Sequence, residues 1–83
     1  MTPDELDRQM QHAVLLFALS SDPALLSDEE ILLAVASDPD DFVERDSVMR
    51  ALRDLNASGL LHYRNGFAQT TRAATRAAEL LQI

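Results

Sequence analysis

Cysteine, tryptophan and lysine are missing from this 83-residue chain, and glycine occurs only twice. Without cysteine there is no disulfide framework and no thiolate chemistry. With two glycines, a Gly-rich phosphate-binding loop cannot be assembled. Only four side chains are aromatic, one Tyr and three Phe, so the core must come from Leu, Val and Ala. The longest uninterrupted apolar run, Ala13–Leu19, is far short of the roughly 20 residues of a membrane span. The segment Met1–Asp7 has no basic stretch and no cleavage pattern, so it does not read as a secretory signal. The expectation is one small cytoplasmic domain over residues 1–83 with no membrane association.

What is present is acid, unevenly placed. The formal net charge is −7. Residues 1–44 hold one arginine, Arg8, against eleven acids, whereas residues 45–83 hold six arginines against three acids, Asp46, Asp54 and Glu79. Asymmetry of this kind bears on partners rather than on fold. The first half repels phosphate and the second can approach it.

The elements follow from punctuation and periodicity. Thr2-Pro3-Asp4-Glu5 is a capping box with Pro at the first helical position. Leu6, Met10, Ala13, Val14 and Phe17 continue it at helical spacing, which predicts a helix over 3–20. Ala24-Leu25-Leu26 is short and apolar, enough for a bridge of strand. Ser27-Asp28-Glu29-Glu30 opens a second helix over 28–37, with Ile31, Leu32, Ala34 and Val35 inward. Asp38-Pro39 stops it, because Pro disfavours a helical residue before it. A third helix starts at Asp41, with Glu44 at the capping-box position, or a few residues later, and is assigned over 44–58. It buries Val48, Ala51, Leu52 and Leu55 and turns Asp46, Ser47, Arg50, Arg53, Asp54 and Ala57 outward. Gly59 supplies a left-handed stop. Asn65-Gly66 is a two-residue turn signal and predicts a hairpin over 60–71, with Arg64 opposite Phe67, Tyr63 opposite Ala68 and His62 opposite Gln69. A capping Thr70 or Thr71 begins a last helix over 72–82. The fold class is mainly α with a small β-hairpin, in the order α-(β)-α-α-β-β-α.

The stretch Leu52-x-x-Leu55-x-x-x-Gly59-Leu60-Leu61, followed by Asn65-Gly66 and Thr70-Thr71-Arg72-Ala73-Ala74, resembles the winged helix-turn-helix domains of bacterial transcription regulators. The resemblance spans roughly residues 13–79. It implies that the third helix is a recognition helix in the major groove of double-stranded DNA. Arg45, Ser47, Arg50 and Arg53 would then face bases and phosphates, and Arg64 with Asn65 would form the tip of a wing on the DNA backbone. It implies no catalysis and no cofactor. The same fold also serves as a protein-interaction module. In that alternative the acidic N-terminal half attracts a basic partner and no DNA is bound.

Residue by residue, other chemistries find little support. His12 and His62 are isolated, and the three or four converging ligands of a zinc site are not spaced anywhere in the chain. Asp38–Glu44 lacks the Asp/Asn ladder and closing Glu of a calcium loop. The acids at 4, 5, 7 and 28–30 sit in first turns, where the helix dipole favours them. Arg50 stands four residues from both Asp46 and Asp54. It reads equally as a member of a solvated ion-pair ladder and as a fork to guanine or phosphate. Helix one is apolar all round from Ala13 to Leu19, and the last helix carries its own apolar belt. Leu15, Leu16, Leu19, Leu80, Leu81 and Ile83 are therefore the expected interface of a homodimer, which would set two recognition helices on a pseudo-palindromic site.

Overall fold

The computed structural model describes residues 2–81. It is mainly helical: α1 spans Pro3–Ser20, α2 Asp28–Val35, α3 Phe42–Ala57 and α4 Arg72–Leu81, with strands β1 Leu26–Ser27, β2 Leu61–Arg64 and β3 Phe67–Thr70. The expected element order is observed. The short strand β1 joins the hairpin to make a three-stranded antiparallel sheet in the order β1-β3-β2. Leu26 lies opposite Ala68 and Ser27 opposite Phe67. The hairpin register is Leu61–Thr70, His62–Gln69, Tyr63–Ala68 and Arg64–Phe67, as the two-residue turn requires. Asn65 and Gly66 both have positive φ, 55° and 80°, the conformation of a hairpin turn matched to strand twist.

Capping explains most helix ends. The Thr2 hydroxyl accepts the Glu5 N–H and the Ser27 hydroxyl accepts the Glu30 N–H. Gly59, at φ 80°, ends α3 in a Schellman motif. The Leu60 N–H reaches the Leu55 carbonyl at 2.9 Å and the Gly59 N–H reaches that of Asn56 at 3.1 Å. Two boundaries differ from expectation. Helix α2 stops at Val35 rather than 37, because Ala36 is already extended. Helix α3 starts at Phe42 rather than 44, capped by Asp41, which accepts the Val43 N–H, so the earlier of the two expected starts is the one observed. Glu44, in the first turn of α3, accepts from the Ser37 hydroxyl and the Asp38 N–H. The same carboxylate that suggested a helix start instead ties down the loop before it.

The core gathers Met10, Val14 and Ala18 of α1, Leu26, Ile31 and Leu32, then Val48, Ala51, Leu52 and Leu55 of α3, and Leu61 and Ala68 of the sheet. The inner stripe of α3 is as expected. Ala34, expected inside, is exposed, since an eight-residue α2 offers only one narrow face. Helix α4 departs most. Of its residues only Ala74 is buried, and Leu80 and Leu81 are 73% and 70% exposed. It is moored by Thr71, whose hydroxyl donates to the Gly59 carbonyl at 2.6 Å and accepts the Ala74 N–H at 3.1 Å.

No described helix is long and apolar enough to cross a membrane.

Candidate nucleic-acid interface

The outer side of α3 and the hairpin beside it carry the residues on which a phosphate contact would depend. Asn56, near the end of α3, accepts the Tyr63 N–H through its side-chain oxygen at 3.1 Å. That bond fastens β2 to the helix flank. The Tyr63 hydroxyl donates to Asp28 at 3.0 Å, and the Asp28 N–H donates to the Gly66 carbonyl at 2.9 Å. The hairpin tip is thereby held against the start of α2. Burial, then the hydrogen bond to Asp28, pushes the Tyr63 phenol up from its ordinary value, and the nearby charge of Arg53 opposes them. The charge of Arg53 on α3 is thus felt at Tyr63 of β2.

The six residues expected to face DNA divide into three groups. Ser47 is a correction: it is fully buried, and its hydroxyl donates to Asp7 of α1 at 2.6 Å. Helix α1 packs against α3 at that point and covers one more position than the apolar stripe alone indicates. Arg45 and Arg50 reach other elements of the same molecule. Arg45 donates to the Pro39 carbonyl at 3.0 Å and lies 3.7 Å from Glu29, bracing the loop between α2 and α3. Arg50 donates from Nε and Nη2 to the two carboxylate oxygens of Asp7, at 3.1 and 2.9 Å. The third group is Arg53, Arg64 and Asn65, all exposed. Among the described residues, neither Arg53 nor Arg64 has an acid within ion-pair distance.

The Arg50 pairing was not legible beforehand. Sequence spacing offers Asp46 and Asp54 as its partners, and both act on it only at longer range. Asp54 is itself engaged, accepting from Gln11 of α1 at 3.1 Å. Asp7 wins because a bidentate fork from another helix is geometrically better than a side-by-side pair on one helix. The contact with Arg50, and next the Ser47 hydroxyl, holds the Asp7 carboxyl below its usual value. Asp7 itself reads in sequence as one more first-turn acid, and no local signal marks it out. No local signal in the sequence marks out Phe42 and Val43 either, because they precede the expected helix span of 44–58. They occupy the first turn of α3, 79% and 60% exposed.

Of the expected dimer residues, Leu16 and Leu19 line an open groove of about 340 Å³ between α1 and α4, with Ser20, Asp22, Thr75, Ala78 and Glu79 completing its walls. Leu15 is half-buried against the core. Leu80 and Leu81 project from the end of α4, and Ile83 lies outside the described residues. No three His or acidic side chains converge on one point among the described residues.

Compared with protein-family models, with curated proteins and with solved structures, the chain matches none of them.

Proposed function

We propose that this chain is a small winged-helix protein that binds double-stranded DNA through the outer side of α3 and the tip of the β2–β3 hairpin. The observation that carries the reading is the pair Arg53 and Arg64. One lies on α3 and the other beside the turn, both exposed, on elements fastened to each other by the Asn56–Tyr63 bond. A helix flanked by a hairpin offers two contacts of different kinds, a groove contact from the helix and a backbone contact from the turn. Arg suits both, because its planar fork matches phosphate and guanine alike. The net charge of −7 restricts binding to that one side, since the acidic first half repels the duplex elsewhere.

The groove between α1 and α4, with Leu80 and Leu81 beyond it, supports self-association of two copies, each offering the same groove and the same leucine pair in an isologous contact. A dimer would present two α3 helices to a symmetric site.

The test is retention on a duplex at about 50 mM salt, with Arg53→Ala/Arg64→Ala as comparison. Loss of two phosphate contacts lowers the slope of log K against log salt by about 1.8. A wild-type chain that ignores duplex and heparin alike at that salt overturns the reading.

One observation favours a second reading, a protein-docking winged helix. The N-terminal turn of a recognition helix is the part that meets base edges. Here that turn carries exposed Phe42 and Val43, followed by Asp46, with Arg45 folded back on Pro39. An apolar turn rimmed by acids suits a basic, partly apolar peptide. Tight capture of such a peptide by a chain that does not retain DNA would select this reading.

A further inference from the structure

Arg50 is gripped in a manner different from every other arginine of the described residues. Nε and Nη2 form one edge of the guanidinium, and both donate to the two oxygens of a single carboxylate, Asp7, on a different helix. The same carboxylate accepts the buried Ser47 hydroxyl at 2.6 Å, so its position is set from below by α3 itself. Two parallel N–H···O bonds along one edge are also how arginine holds a phosphate, or the O6 and N7 of guanine. Asp7 therefore occupies the donors that α3 would turn toward a duplex.

We infer that Asp7 is an internal stand-in for nucleic-acid phosphate. It closes the Arg50 fork in the free protein, and engagement of Arg50 by DNA requires the fork to exchange one anion for another. The inference rests on the DNA-binding reading above and concerns the regulation of that surface.

Three features suit an exchange rather than a fixed structural pair. Both partners are accessible, with 45% of the Arg50 side chain and 27% of that of Asp7 exposed. A shallow apolar groove of about 150 Å³, lined by Thr2, Pro3, Leu6, Val43 and Arg50, lies alongside and offers the guanidinium room to swing. The other acids near Arg50 do not compete for its fork: Asp46 and Asp54 act at longer range, and Asp54 is held by Gln11. The consequence is selectivity. A duplex that merely supplies negative charge gains little by displacing a carboxylate already in place. One that offers a phosphate or guanine edge in register gains a contact, and α1 is released from α3 at that point.

The experiment compares Asp7→Asn with Asp4→Asn, using a fixed duplex over a salt series. Asp4 is an exposed acid one turn earlier, so its variant reports the general effect of removing one negative charge. Asp7→Asn keeps an oxygen for Ser47 while loosening the hold on Arg50. The expected result is duplex binding at least about fivefold tighter than Asp4→Asn, with a slope against log salt steeper by about 0.9, one added phosphate contact. Arg50→Ala placed on Asp7→Asn should remove that gain.

Asp7→Asn no tighter than Asp4→Asn, or a gain that survives Arg50→Ala, overturns the inference. If wild type binds through Arg53 and Arg64 under those conditions, the DNA reading stands without it. If neither wild type nor any variant is retained, both fall. A measurement on the unaltered protein guards against misfolded variants. The Arg50 Nε–H resonance should move on addition of duplex, and a duplex that moves the Arg53 signal while leaving Arg50 unchanged overturns the inference equally.

Discussion

Helices α3 and α4 carry the same kind of message and meet different fates. Each has an apolar stripe at helical spacing. In α3 the stripe is Val48, Ala51, Leu52 and Leu55, each at most 4% exposed. In α4 it is Ala73, Ala74, Ala77, Leu80 and Leu81, and only Ala74 is covered. The difference is one of neighbours. Helix α3 lies in the middle of the chain, with α1 across it, α2 before it and β2 returning against it. Helix α4 leaves the sheet after Thr71 and is set off from α1 by an open groove. Periodicity reports that a face favours burial. It does not say that the same molecule supplies the cover.

The sharpest way to break the comparison is to cut the same residue type from each stripe. Leu52→Ala, at a position with no exposure, should cost about 2–5 kcal/mol in urea unfolding. Next in size is the stop that separates α3 from the sheet. A Cβ on Gly59 would meet nothing within 4 Å, so Gly59→Ala isolates the backbone cost of φ 80°. It should lower stability by about 1–2 kcal/mol, and a much larger loss would mean the Schellman turn organises more than α3.

Acid acts on the contacts made with α3, and more weakly. Contacts with Arg50 and Ser47 hold the Asp7 carboxyl below its ordinary value, and contacts with Ser37 and the Asp38 N–H do so for Glu44. A carboxyl depressed by folding contributes fully above its unfolded value and loses that contribution as pH falls through its folded one. Stability should therefore be level above about pH 5 and decline below about pH 4. Because both groups are near the surface, the decline is shallow, and Asp7→Asn should flatten it. An acid limb unchanged in that variant would assign it to other carboxyls.

The smallest effect on folding belongs to α4. Leu80→Glu/Leu81→Glu should leave the unfolding free energy of the monomer within about 0.5 kcal/mol. In sedimentation over the micromolar range, the wild type should associate and the variant should not. Equal sedimentation of the two would leave the α4 stripe without a partner in a second copy.

Much of the architecture was legible because its signals are local. Thr2, Ser27, Gly59 and Asn65-Gly66 each set a cap or turn through their own backbone and side chain, and all four lie where expected. The hairpin register followed from the turn length. Glu44 stands at a capping-box position relative to Asp41, yet its carboxylate bonds to the loop behind it rather than within its own turn.

The candidate site was less legible. Exposed Arg53, Arg64 and Asn65 could be anticipated from a helical face and a turn. The burial of Ser47 and the diversion of Arg50 could not, since both depend on Asp7, which is 40 or more residues away in sequence.

Composition, capping residues and periodicity determined which segments are helices, where the chain turns and how its charge is divided, because each of these is a property of a few adjacent residues. Only the packing of α1 and α2 against α3 decided which of its arginines remain free and which meet a carboxylate. Only the position of α4 at the rim decided that its leucines are bare. Ion pairing and burial depend on what lies across a gap, and no spacing along one chain segment encodes the far side.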